Sequence, residues 1–398
     1  MQRSLEHEEG NKRLNSLDAD KKEMSRRSFL QFGAGCTVAL AAGATMASLS
    51  GCDSLKETAD AVILGQQTII DDVGRELVIP APSALERVYF TSALAQIYCF
   101  SLAPELLGGV ASALGPEKLK YLPESIATLP SMGSLSGESG RIDREMLLKT
   151  GIQIVFSISA VALTEANRTE AEELQKATGI PVVLIDGSFE VVSDAYRLLG
   201  QCMGRSERAE EIAAYVEDIY NRVTTAVSEL SEDEKIGVYY AEGPLGLQTE
   251  PETSQHVLAF TAAGAHIVAE VEEDTGYGMV DVSLEQVLAW DPEVIVAWSE
   301  EFRGGAENII KTNRNWSSIK AVKDGRVYTM PENPFAWLDR PPAVNRFLGL
   351  QWIANLLYPH LYDVDIVQVA KEFYEFVYWV DNITNEEIIE MLGNSYRA

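Results

Sequence analysis

The chain has 398 residues, with 32 Lys and Arg against 60 Asp and Glu, a formal net charge of −28. So acidic a surface repels phosphate backbones and anionic lipid, and no basic run offsets it, which excludes nucleic acid as a partner. The length suffices for two domains.

Residues 1–51 read as a targeting segment rather than as fold. Ser25-Arg26-Arg27-Ser28-Phe29-Leu30 has the form of a twin-arginine signal, and small and apolar residues follow from Phe32 to Leu49. Leu49-Ser50-Gly51-Cys52 resembles the lipobox of bacterial lipoproteins, so Cys52 is the expected site of lipidation. The Gly- and Ala-rich run is too short and too weakly apolar for a membrane span. Met24 stands just before the arginines and offers an alternative start. The segment carries seven basic and six acidic residues, so its removal takes the charge from −28 to −29. Residues 52–70 read as a linker.

Asp71 to Pro80 has a hairpin-like pattern, and residues 71–205 then alternate strands and helices. Buried-type strands are expected at Arg87–Phe90, Leu106–Val110, Ile152–Ser157 and Val182–Asp186. Helices are expected near Ala93–Leu102, Asp143–Thr150, Leu163–Thr178 and Val191–Gly204. Such alternation predicts parallel sheet covered by helices. Cys99 and Cys202 lie in apolar helical contexts, as two buried thiols or, in an exported protein, as a pair.

Ser206 to Leu230 reads as one long helix. Ile212, Val216, Ile219, Val223 and Val227 form one apolar stripe, and neither Gly nor Pro interrupts it. At ~1.5 Å per residue it spans roughly 37 Å. The segments flanking it look alike: Glu145 and Glu285 each precede apolar residues near a helix start, and a segment leading into a buried-type strand follows seven residues later. The prediction is an α/β protein of two Rossmann-like lobes, each with a parallel sheet, joined by one rigid helix with a ligand cleft between them.

Residues 231–398 form the second lobe. Strands are expected at Ile236–Ala241, His266–Val271, Val294–Trp298 and Val327–Met330. Helices are expected near Ser254–Ala263, Leu284–Ala289, Ala306–Lys311, Pro341–Leu357, Val364–Val380 and Asn385–Leu392.

Ligands of open α/β sheets meet the carboxyl ends of the strands. The loops there contain Thr91, Ser92, Ser136 and Ser157 in the first lobe, and Tyr240, Leu247 and the proline-stiffened Pro331–Pro342 in the second. The last presents Phe335, Trp337 and Arg340, and prolines at positions 341 and 342 suggest a helix beginning at Arg340. A helix start with a guanidinium favours an anionic ligand or acidic chelate. The alternative is that Trp337 plugs the lobe and Arg340 pairs with Asp339 or a neighbouring carboxylate. His7, His256, His266 and His360 are scattered without HExxH spacing, so a structural or hydrolytic zinc site has no support, and His256 and His266 read as packing or hydrogen-bonded residues, with direct ligation of a bound iron by Tyr or His as the alternative. Gly133–Gly137 lacks nucleophile-elbow spacing, and no Walker loop occurs, which argues against an enzyme.

These features together resemble the substrate-binding proteins of ABC importers for iron complexes and cobalamin, over roughly residues 71–359. The resemblance rests on Asp71-x-x-Gly74-Arg75, the two Glu segments, the Gly243–Thr249 loop, Trp337–Arg340, and Asn345-Arg346-x-x-Gly349-x-x-Trp352. It departs at Ile152-Gln153, where Pro-Asp is usual, and at Ala263–His266, where Gly-Gly-x-Asn is common. The resemblance implies no catalytic residue and no cofactor of the protein's own. It implies a ferric chelate first and corrinoid or heme next, bulky ligands that themselves contain iron or cobalt, and a molybdate- or tungstate-like oxyanion third. It further implies docking of Glu145 and Glu285 onto an ABC permease working with its ATPase. A lipid-anchored monomer on the extracytoplasmic face is the expected setting.

Overall fold

The computed structural model describes residues 65–135, 141–272, 278–299 and 304–396. The expected leader (1–51), Cys52 and Ser136 lie outside the described residues. An antiparallel hairpin comes first, β1 (Gln66–Ile70) with β2 (Glu76–Pro80), so the end of the expected linker is strand. The Asp-x-x-Gly-Arg turn makes this hairpin. Gly74 takes φ +75°, where a side chain is disfavoured. Asp71 Oδ1 accepts from the Arg75 backbone N–H (2.9 Å), and its Oδ2 accepts from Arg75 Nε (3.0 Å) and the Leu184 N–H (3.2 Å). Arg75 Nη2 donates to Val182 O (2.7 Å), which bolts the turn to the first lobe.

That lobe holds a parallel sheet of β3 (Val88–Phe90), β4 (Ile154–Ser159) and β5 (Val182–Asp186), in that order. Its near-continuous apolar strands are those of a sheet covered on both faces. Helices at Ala93–Leu102, Arg144–Thr150, Glu165–Thr178 and Val192–Met203 fall where the periodicity places them. The expected strand Leu106–Val110 is instead a 3-10 turn starting at Pro104, with single bridges Val88–Leu107 and Val110–Ser131. Gly108 and Gly109 press so closely on Ile152 and Met132 that a Cβ would collide there.

The second lobe has its own parallel sheet, ordered β11 (Val327–Thr329), β10 (Val294–Ala297), β6 (Gly237–Ala241), β8 (His266–Ile267). A small antiparallel pair, β7 (Gln248–Thr249) with β9 (Val280–Asp281), closes over it. Only two residues of the expected His266–Val271 strand pair.

The long helix runs from Ser206 to Val227, roughly 33 Å at ~1.5 Å per residue. Ile212, Val216, Ile219 and Val223 are buried along it. It packs on Val192–Met203 of the first lobe and on Leu258–Ala262 and Arg346–Leu357 of the second. Gly200 lets the first of these helices touch Ala209 directly. One apolar cluster continues from Phe90 and Phe156 through Val216 to Tyr240, Trp337 and Phe347, so the lobes share a core, and a second cluster around Tyr89, Met132, Leu147 and Val155 belongs to the first lobe.

The helix expected from Pro341 begins at Arg346. Pro341 and Pro342 bring no backbone N–H, and Asn345 takes the N-cap position, its Nδ2 donating to Pro341 O (2.9 Å) and Ala336 O (2.5 Å). Arg340 therefore does not stand at a helix start, and a dipole argument for an anion there does not hold. Cys99 and Cys202 are free, buried thiols, and burial pushes the Cys202 thiol up to about 12.

Candidate functional site

The strand ends of the two lobes face a cavity of about 610 Å³. A smaller one of about 320 Å³ lies beside the long helix, between Phe189, Tyr220 and Phe347. The first is at the carboxyl ends of the strands, where ligands of such sheets bind, and is the candidate site. Its first-lobe wall comes from Ala93 and Gln96 on one helix, from Ser112–Gly115 on the following loop and from Lys118 on the short helix Pro116–Leu119. Its second-lobe wall comes from His256, Trp298, Glu332, Phe335 and Arg340–Pro342.

Local chemistry explains why the first wall sits there. Thr91, just past β3, donates its N–H to Phe156 O (3.0 Å), and its carbonyl accepts from Ser134 Oγ (2.8 Å) and Leu135 N (3.1 Å). Ser92 caps the next helix, its Oγ accepting from Ala95 N (3.1 Å). These bonds fix the helix start that carries Ala93 and Gln96. Gln96 is fully buried; its Oε1 accepts from Ala111 N (3.1 Å), which anchors the loop, and its Nε2 has no hydrogen-bond partner.

The second wall rests on a buried polar cluster. Arg340 donates from Nε to Glu242 Oε1 (2.9 Å) and from Nη2 to Glu250 Oε1 (2.7 Å), with a further Nη2 contact to Glu242. Asp339 Oδ2 lies 3.3 Å from Arg340 Nε and 3.1 Å from His256 Nδ1. Tyr240 OH donates to Asp339 Oδ1 (2.9 Å), and Ser254 Oγ donates to Glu250 (2.7 Å). All three carboxylates are fully buried. Burial, reinforced by the neighbouring Glu250 and Asp339 and opposed by Arg340, pushes the Glu242 carboxyl well above its usual range. The guanidinium is held 4.8 Å from the Trp298 ring centroid, which turns that indole into the cavity's back wall.

Of the ligand-contacting residues expected from the sequence, Phe335 and Arg340 line the cavity. Thr91 and Ser92 stand behind it as supports, Ser157 is half-buried on β4, and Leu247 is half-buried in the loop entering β7. Tyr240 and Trp337 are interior. Trp337 donates from Nε1 to Tyr374 OH (3.3 Å), and at 1 % exposure it plugs the lobe. Sequence reasoning missed Gln96, Lys118, Trp298 and Glu332 as wall residues, and it read His256 only as packing or hydrogen-bonded. Among the described residues no group of three or more His, Cys, Asp or Glu is arranged to hold a metal ion. Glu145 and Glu285 are both exposed, each two residues past an N-cap, Asp143 and Ser283, with Leu147 and Val287 buried beneath.

Comparison with known proteins agrees with this architecture. By sequence, the molybdate-binding protein MolA of Haemophilus influenzae is 29% identical over 183 residues, 46% of this chain, and the match spans only 50% of that relative's length. The Fe(3+)-citrate-binding protein YfmC of Bacillus subtilis is 23% identical over 294 residues, 70% of this chain and 84% of that one. Among solved structures, an ABC transporter solute binding protein from Sulfurospirillum deleyianum superposes with a TM-score of 0.73 at 28% identity, covering 81% of this chain and 98% of that one. MolA bound to molybdate gives 0.64 at 22% identity over 80% and 99%, a likeness of fold. The profile described as periplasmic binding protein matches residues 127–334, over half of the sequence, and the chain belongs to that family.

Proposed function

We propose that this protein is an extracytoplasmic, lipid-anchored monomer that captures a metal chelate, of the ferric siderophore type, between its lobes and delivers it to an ABC permease and its ATPase. Family membership makes it a solute-binding protein and not an enzyme. The observation that carries the ligand class is the cleft itself. A cavity of about 610 Å³ walled by Trp298 and Phe335 suits a drug-sized ligand and far exceeds a bare tetrahedral oxyanion. Its most prominent cation, Arg340, is already committed to Glu242 and Glu250. Phe335 and Arg340 face the ligand in this reading.

Export by the twin-arginine route and a lipid on Cys52 follow from the leader motifs. No helix among the described residues is long and apolar enough to cross a membrane. Glu145 and Glu285, matched in position on the two lobes, dock on permease arginines. Rim charges of this kind steer and orient a partner. One shared core and a continuous connecting helix predict small lobe closure on binding.

A second reading, a molybdate carrier, is favoured by the likeness to MolA. A thermal-shift screen of ferric citrate, a ferric tris-catecholate, heme, cobalamin and molybdate separates the two. A ligand at 100 times its Kd stabilises the native state by about 2.7 kcal/mol. A rise in Tm with a ferric chelate and none with molybdate is the expected result; molybdate alone raising Tm makes the second reading correct, and no shift with any of them refutes both.

A further inference from the structure

Among the described residues that line the cleft, the Lys and Arg side chains are Lys118 and Arg340, and they differ in availability. Arg340 is gripped by Glu242 and Glu250, with Asp339 at 3.3 Å, all three fully buried. A ligand oxygen that pulled this guanidinium away would leave buried carboxylates uncompensated. Lys118 is held far more loosely. Its Nζ lies 3.6 Å from Glu332 Oε1, beyond ordinary N–H···O distance, with side chains 31% and 20% exposed. The other Glu332 oxygen accepts from Ser299 Oγ (2.5 Å). On the same wall, Gln96 is fully buried with Oε1 fixed by the Ala111 N–H. That bond sets the orientation of the amide and leaves Nε2 as a donor without a hydrogen-bond partner. Gln96 is a residue of the cavity wall, and its buried donor has an unmet demand for an acceptor.

We infer that Gln96 Nε2 and Lys118 Nζ are the first lobe's donor pair for the acidic oxygens of the bound chelate, with Glu332 occupying Lys118 when the cleft is empty. The inference rests on the metal-chelate reading and adds the charge and donor chemistry of the ligand. The substrate class is an anionic complex with outward carboxylate or phenolate oxygens. Arg340 is then a positioning residue that sets the Trp298 wall, and Lys118 reads ligand charge.

Equilibrium titrations of the protein with ferric citrate and a ferric tris-catecholate, followed by tryptophan fluorescence, test this. Lys118→Ala weakens binding roughly tenfold, and Glu332→Gln, which releases Lys118, tightens it about threefold. Gln96→Glu keeps the acceptor for Ala111 N–H but removes the donor, and weakens binding more than tenfold. Both Lys118→Ala and Glu332→Gln are partly exposed substitutions and leave Tm within a degree or two. If the two weaken binding together, Lys118 and Glu332 are a latch between lobes and the inference fails while the chelate reading stands. Unaltered affinity in Lys118→Ala also overturns it. Absence of saturable binding of both chelates by the unaltered protein sinks the reading and the inference with it.

Discussion

Replacing Arg340 with Met keeps an unbranched stem against Trp298 and deletes the charge. Glu242, Glu250 and Asp339 then face each other with His256 as the one remaining basic side chain shown in contact with the cluster. The Arg340 side chain is only 15% exposed and its partners fully buried, so solvent screens little of the loss. Removing one member of such a buried network costs about 3–5 kcal/mol. At roughly 2 °C per kcal/mol for a chain of this size, Tm should fall by about 6–10 °C at pH 7. The sign of the pH dependence follows from Glu242, whose folded pKa is raised. A carboxyl of this kind binds its proton better folded than unfolded, so its contribution is full below the unfolded pKa and is lost as pH rises toward the folded value. Without Arg340 opposing the shift, that effect grows, and the deficit of Arg340→Met narrows at pH 5. Scanning calorimetry at pH 5 and pH 7, with Arg340→Met/Glu242→Gln beside the single variant, reads all of this. A single variant that melts with the unaltered protein, or a deficit that widens in acid, refutes the account of Arg340 as a structural cation.

Glu242→Gln in the otherwise unaltered protein should flatten the decline of Tm with rising pH above about 4.5, the unfolded carboxylate range; an unchanged slope removes Glu242 as its source. Gly349→Ala should lose about 1–3 kcal/mol, because its Cβ would meet Leu338 Cα at 2.9 Å and the Trp337 carbonyl, both backbone. Helix propensity alone predicts the opposite sign, so a raised Tm would contradict the close-approach argument. Glu145→Arg with Glu285→Arg should leave chelate affinity intact and abolish uptake by whole cells; normal uptake would discard the docking role.

Legibility of the sequence followed the strength of the periodic signal. The helix Ala93–Leu102 and the strand Val182–Asp186 have the bounds that their patterns predict, and the stripe Ile212, Val216, Ile219, Val223 is the buried face of the long helix. The strand expected at Leu106–Val110 failed because apolar composition cannot distinguish a strand from a turn squeezed against Ile152 and Met132. The helix expected from Pro341 failed because two adjacent prolines also suit an irregular turn, with the cap deferred to Asn345. The cleft was half visible. Phe335 and Arg340 stood out in a proline-rich loop, but nothing in the sequence singles out Glu242 and Glu250, since carboxylates are seldom buried unless paired. Their partner lies 98 and 90 residues away in the chain, and no local spacing connects them. Gln96 had one faint signal, a lone amide in an otherwise apolar helix start. Ser112–Gly115 and Lys118, on the short helix that follows, had none, because the place of this segment on the cavity wall is set by the bond from Ala111 to Gln96 and not by its own pattern.

The most direct test of the central claim, that the cleft between the lobes holds one metal chelate, is calorimetric titration of the protein and of Ala113→Trp with the chelate that shifts Tm. Ala113 is exposed on the cavity wall, so an indole there fills the cleft without disturbing the core. The account predicts one site per chain in the unaltered protein and no binding heat in a variant of unchanged Tm. Identical isotherms for the two proteins would contradict it.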